Sequence, residues 1–201
     1  MLDIVRRIVN IAASSSELAH QRLIFHIVVG FFGFLRYSNV HQLRVKHFHF
    51  TEHLTVHLPQ SKTDQFRKGN DLFIAALAGK EYCPYVIARR FIGRLKACIG
   101  SGPETFVLAN ITRKFGQDRI ARTCIAASTL TSQLRVLLRG LGLSVNNFLL
   151  HSLHAAGAAA AAAAHALRDR IKLHGRWKSD CVDNYIEVSA KDRLALSSSI
   201  G

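Results

Sequence analysis

The sequence predicts an α+β fold, mostly helical, with one small three-stranded antiparallel sheet. Three observations carry that reading. Apolar residues recur at helical spacing up to about residue 43 and again in long stretches after residue 84. Between residues 45 and 78 the character changes to three short segments rich in β-branched and aromatic residues, "VKHFHF", "LTVHLPQ" and "DLFIAAL". Their separators, "TE" and the polar run "SKTDQFRKGN", have the composition of hairpin connections.

Taken in order, Ile4, Val5, Ile8, Val9 and Ala12 share one face of a short amphipathic helix. "SSSE" at 14–17 can cap a second helix, which runs through the apolar stretch Leu23–Leu35 to about Phe32 and ends at the Gly33 turn. A shorter helix is expected from Ser38 or Asn39, taking in Val40 and Leu43. The three strands follow, with a basic hairpin loop between the second and third. Pro84 fits the first turn of a helix that Gly100 ends. Residues 101–127, with Gly102, Pro103 and Gly116 and no sustained period, read mostly as loop. "TLTSQLRVLLRGLG" returns to helix. Beyond Asn147 the chain reads as short helices broken at "LHGRWKSD". The alanine run 158–164 suits a helix that packs closely on its neighbours, because alanine has high helix propensity and small volume.

A chain of 201 residues, 49% of them apolar, can build one substantial core. Lys and Arg number 27 against 13 Asp and Glu, for a net charge of +14. That excess attracts polyanions, and its spread along the chain favours double-stranded DNA over an anionic membrane surface. The apolar stretch Leu23–Leu35 is too short to span a bilayer. Four cysteines without a CxxC pair fit reduced thiols. With no secretory leader visible, an intracellular protein is expected, nuclear if eukaryotic and cytoplasmic if prokaryotic.

Several residues have the chemistry to handle a phosphate. Arg36 sits at the tight "GFLRYSN" junction, where a guanidinium fork can be held in one pose, or can simply decorate a turn. Lys62 lies in the hairpin loop "LPQSKTDQ", beside Arg67 and Lys68, either as a proton donor to a leaving oxygen or as a solvated cation. His151 and His154, three apart at a helix start, share a face with His174 as a conceivable third partner. No HExxH motif, carboxylate cluster or cysteine pair accompanies them, so neither a metal nor any other cofactor is expected. His174 and Trp177 occupy "LHGRWKSD", and Tyr185 follows in "VDNYIEVS". A phenol with a pKa near 10 is a poor nucleophile unless surrounding cations stabilise the phenolate as charge develops.

As a set, these residues resemble the catalytic domain of tyrosine recombinases, the phage-integrase-like family, and especially the integrase-like proteins of eukaryotic mobile elements, retrotransposons and related elements. Arg36 in "FGFLRYSN" matches the family's first arginine, Lys62 its hairpin lysine, His151 the histidine of its HxxR box, His174 in "LHGRW" its later histidine, and Tyr185 its nucleophile. The resemblance covers about residues 17–190. It implies a DNA-binding catalytic domain over 17–201, with 1–16 an N-terminal helix or the remnant of a preceding region. It also implies metal-free DNA strand cleavage and rejoining through a 3′-phosphotyrosyl link, with self-association on DNA. Arg44, Arg67, Lys68, Arg176 and Lys178 are the expected backbone contacts.

Two positions depart from the pattern. Asn39 stands where the family carries an acidic residue, and His154 stands where it carries its second arginine. Histidine, with an ordinary pKa near 6.5 and a shorter reach, does not reproduce a two-pronged guanidinium contact. Losing one transition-state donor commonly costs about 3–4 kcal/mol. The expectation is therefore an impaired recombinase. The alternatives are a catalytically inactive DNA-binding relic of a mobile element, or a non-enzymatic basic interaction module.

Overall fold

The computed structural model describes residues 2–13, 15–59, 70–143 and 150–185, without the side chains of 11–13 and 151. Lys62, Arg67 and Lys68 therefore lie outside the described residues, as does the side chain of His151. The described elements are α1 (Leu2–Ala13), α2 (Leu18–Phe32), α3 (Tyr37–Val40), β1 (Phe48–Phe50), β2 (His53–Leu58), β3 (Asn70–Ala75), α4 (Pro84–Lys96), β4 (Ala109–Lys114), β5 (Gln117–Cys124), α5 (Ala127–Gly140), α6 (Leu153–Ala163) and α7 (Arg168–Gly175). Short 3-10 turns cover Val45–His47, Leu150–Ser152 and Asp180–Tyr185. The mostly helical α+β class is the one the sequence predicts.

Helix α2 is the axis of the core. Its residues from Gln21 to Phe31 are buried on every face, which is why this stretch reads as an unbroken apolar run. Phe25 stacks at a tilt on Phe91 of α4, with ring centroids 4.7 Å apart, and lies 5.5 Å from Phe48 of β1. Val5, Ile8 and Val9 of α1 close the same core. The N-cap of α2 falls within the expected segment 14–17. Glu17 is the N-cap residue and makes no side-chain cap bond, while Ser15 Oγ accepts from the Glu17 amide at 3.3 Å.

The strands β1, β2 and β3 pair antiparallel in that order, with Leu54 opposite Ile74 and Val56 opposite both Phe48 and Leu72. Alternation along β2 sends Leu54, Val56 and Leu58 into the core. Leu72 and Ile74 of β3 press on the turn after α2, leaving no room for a side chain at Gly33: a Cβ there would lie 2.7 Å from Leu72 Cδ2. The last paired residues of β2 and β3, Leu58 and Asn70, flank the connection that holds Lys62.

Two expectations are corrected. Helix α3 is a single turn that ends before Leu43. Residues 101–127 are not mostly loop, because β4 and β5 form a separate two-stranded antiparallel sheet. Only Ala109 and Ile120 of this ribbon are buried, so it lacks the apolar alternation by which a half-buried strand is read from sequence. Its base is tied to the core by Arg22, 3% exposed on α2, whose Nη1 donates to the Ala109 carbonyl at 2.7 Å. Burial pushes this guanidinium down to about 10. All four cysteines are free thiols, and no helix of the described residues is long and apolar enough to cross a membrane.

Candidate active site

The site is built around the reversal that follows α2. The amide of Gly33 donates to the Val29 carbonyl at 2.9 Å, and that of Leu35 reaches back to Gly30, also at 2.9 Å. Phe34 between them adopts a left-handed conformation, φ 48°. The turn delivers Arg36 to the N-cap of α3, exposed and with extended backbone. Asn39 Oδ1 accepts the Arg36 amide at 3.1 Å, so the residue that replaces the expected acid fixes the backbone that carries the arginine.

Helix α6 packs on this turn at unusually close range. Gly157 makes that possible, since a Cβ there would lie 2.1 Å from the Phe31 carbonyl oxygen and 2.6 Å from Phe34 Cδ1. The approach brings His154, 4% exposed, against Arg36, with Nη2 and Nε2 3.1 Å apart. A guanidinium has donors and no acceptor, so Nε2 of His154 accepts and the ring's own proton sits on Nδ1. His154 is thus a neutral imidazole that orients Arg36.

Tyr185 closes the cluster from the last 3-10 turn. Its ring meets His154 edge-on at 5.3 Å and stacks on Trp177 at 5.6 Å. Trp177 in turn lies over Gly175, where a Cβ would fall 2.0 Å from the indole. Arg168 at the start of α7 clamps the tyrosine's segment. Its guanidinium bonds Asp183 at 2.5 and 2.7 Å and Asp180 at 2.8 Å, and Lys172 also holds Asp180 at 2.8 Å. The Lys172 and Arg168 bonds hold the Asp180 carboxyl down at about 2. Beneath the tyrosine, Val182 packs with Phe34, Ala158 and Ile171 in a small second core.

His174 adjoins the cluster through the same turn. Its Nε2–H donates to the Phe32 carbonyl at 2.8 Å, and Phe34 meets the ring edge-on at 4.6 Å. Burial, outweighing the bond to Phe32, pushes its pKa below the ordinary histidine value. Arg176, left-handed at φ 58°, turns inward: it donates to the carbonyls of His174 at 2.8 Å, Phe34 at 3.3 Å and Gly33. Burial lowers its pKa to about 10.

Arg36, His154 and Tyr185 therefore share one assembly, with His174 on its edge. His151 is placed by its backbone in the 3-10 turn that leads into α6. Arg44 stands outside the assembly. Its guanidinium lies 4.0 Å over the Phe106 ring and donates to the Glu104 carbonyl. Lys178 is exposed in the turn after Trp177. Among the described residues no three His, Cys, Asp or Glu side chains are grouped to hold a metal ion. The Arg168 clamp and the Asn39 cap escape sequence reading; the only trace of the clamp is the basic "RDRIK" facing the acidic "SDCVD".

No protein-family model and no curated protein matches this sequence. Solved structures do. XerH site-specific recombinase, in a post-cleavage complex with its palindromic difH substrate, superposes with a TM-score of 0.69 at 14% identity, over 98% of this chain and 50% of that one. XerA recombinase gives 0.64 at 13% identity over 98% and 61%. The Tn1549 transposon integrase bound to transposon right end DNA gives 0.63 at 13% identity over 96% and 62%. The chain thus spans between half and two thirds of the length of these proteins. Its fold is that of the tyrosine recombinase catalytic domain.

Proposed function

We propose that this chain acts on double-stranded DNA as a recombinase-type strand transferase, weakened by His154. The observation that carries this reading is the packing of Tyr185 against the Arg36–His154 pair on a recombinase catalytic fold. In this reading the Tyr185 oxygen attacks a backbone phosphorus. The new P–O bond forms as the P–O5′ bond breaks, leaving a 3′-phosphotyrosyl link and a free 5′-hydroxyl. Arg36, exposed and with donors beyond the one aimed at His154, neutralises the phosphate oxygens. Lys62 gives a proton to the leaving oxygen, and His151 moves the phenolic proton. A 5′-hydroxyl from a second strand reverses the step, so bond energy is conserved. The chemistry needs two active copies on DNA, and the ends of a mobile element are the substrate class that the transposon integrase likeness favours.

A trap for the covalent link tests this. A nicked duplex that cannot religate is incubated with wild type, His154→Arg and Tyr185→Phe, and adducts are resolved on a denaturing gel. Little adduct is expected from wild type, more from His154→Arg and none from Tyr185→Phe. Equal adduct from the tyrosine variant would refute the assignment.

A second reading, a DNA-binding domain without cleavage, is favoured by two specific contacts. Arg36 spends one donor on His154, and His174 commits its N–H to the Phe32 carbonyl. Duplex binding without adduct in any variant is its signature.

A further inference from the structure

The β4–β5 ribbon ends in a turn whose two central residues, Phe115 and Gly116, both have positive φ, 52° and 76°. A two-residue hairpin turn of this hand favours Asn, Asp or Gly at both positions, because the right-handed strand twist demands a left-handed backbone there. Phenylalanine is a poor occupant, since its Cβ crowds the backbone in that region. Its side chain also gains little from the fold. Phe115 is 88% exposed, and its ring meets the Lys114 ammonium, 5.3 Å from its centre. An aromatic kept in a strained, solvated position points to a function outside the fold.

The strands behind this tip carry Arg113, Lys114, Arg119 and Arg122 against one acid, Asp118. Among the described residues no carboxylate is bonded to Arg113, Arg119 or Arg122. The base is fixed on both strands. Arg22 holds Ala109, the Tyr37 hydroxyl donates to the Ile125 carbonyl at 2.6 Å, and Cys124 Sγ donates to the His41 carbonyl at 3.3 Å. Tyr37 is the residue after Arg36, so the ribbon and the site arginine grow from one rigid junction. From Ala109 to Phe115 a strand rises about 20 Å. A two-stranded ribbon fits the DNA major groove, roughly 12 Å wide.

We propose that the β4–β5 ribbon is a second duplex-contacting arm, with Arg113, Lys114 and Arg119 on phosphates and Phe115 seated against the groove. The inference rests on the DNA-binding reading above and adds the surface that extends it. Cations along both strands, with a single aromatic at the tip, suit a rod of phosphates better than an apolar protein face.

The test is anisotropy titration of a labelled duplex across a salt series, paired with thermal unfolding. The proteins are wild type, the triple variant Arg113→Ala/Lys114→Ala/Arg119→Ala, and Phe115→Asn. The triple variant should bind at least about tenfold more weakly and lose about two to three from the log–log salt slope, near 0.9 per lost phosphate contact. Phe115→Asn should melt at a higher temperature yet bind roughly three- to tenfold more weakly with an unchanged slope. Wild-type binding matched in affinity and slope by both variants overturns the ribbon and leaves the DNA reading standing. Absence of wild-type binding at low salt overturns both. Loss of self-association in the triple variant, with duplex affinity intact, assigns the ribbon to a protein contact and also overturns it. A lower melting temperature for Phe115→Asn with full affinity makes Phe115 structural.

Discussion

Nη2 of Arg36 donates to Nε2 of His154 across 3.1 Å, and this contact changes what the histidine can do. A histidine in place of an arginine invites the idea that its protonated form substitutes for the missing cation. The geometry argues otherwise. Protonating Nε2 would remove the acceptor and set two positive groups side by side at a buried position. His154 serves Arg36 as an acceptor.

His154→Arg should therefore behave differently with and without DNA. In the free protein two guanidinium groups would share a site 4% exposed at position 154, so the melting temperature should fall by several degrees. A bound phosphate between them should restore most of that loss. Differential scanning fluorimetry with and without duplex reads both effects, and an unchanged free-protein melting temperature would contradict this account of the site.

His26 contributes a pH dependence to stability. It is 0% exposed on α2, neither ring nitrogen has a partner, and burial lowers its pKa to about 4. The unfolded chain, with a histidine near 6.5, binds a proton that the folded chain refuses. Stability is thus full above pH 6.5 and is lost as pH falls from 6.5 towards 4, by on the order of 3 kcal/mol. His26→Leu should flatten that slope in urea unfolding curves. A slope as steep as wild type would show that other groups govern it.

The Arg168 clamp should matter to chemistry more than to stability. Its partners are exposed carboxylates, and exposed ion pairs contribute little to stability. Arg168→Ala should leave duplex affinity within about twofold and cut adduct formation, because the Tyr185 segment loses its tie to α7. Equal adduct yields from variant and parent, measured in the His154→Arg background, would remove the clamp from the account.

Gly157 is the tightest point between α6 and α2. Gly157→Ala should cost about 2–4 kcal/mol, since the new methyl meets a backbone oxygen that has nowhere to go. Chemical denaturation checks this, and a cost under about 1 kcal/mol would mean that the helices separate easily.

How much of this was legible beforehand varies with the range of the interaction. Arg36, His154 and Tyr185 are picked out as a set by the family resemblance, since each taken singly also reads as an ordinary turn or packing residue. The α2 core is equally plain, as a run apolar on every face. The β4–β5 ribbon is invisible to the same reading, because both its faces are largely solvated and its charges hide the alternation. The Arg168–Asp183 clamp and the Arg36–His154 bond join residues 15 and 118 positions apart, and only the folded chain can pair them. The tautomer of His154 follows from its contact with Arg36.

The most direct test of the central claim is to locate the covalent link itself. The His154→Arg protein, trapped on the nicked duplex, is digested with nuclease and trypsin, and the nucleotide-bearing peptide is sequenced by mass spectrometry. The phosphonucleotide is expected on Tyr185, with the released DNA end a free 5′-hydroxyl. A link on Tyr37, Tyr82 or Tyr85, or a 5′-phosphotyrosyl bond, would contradict it.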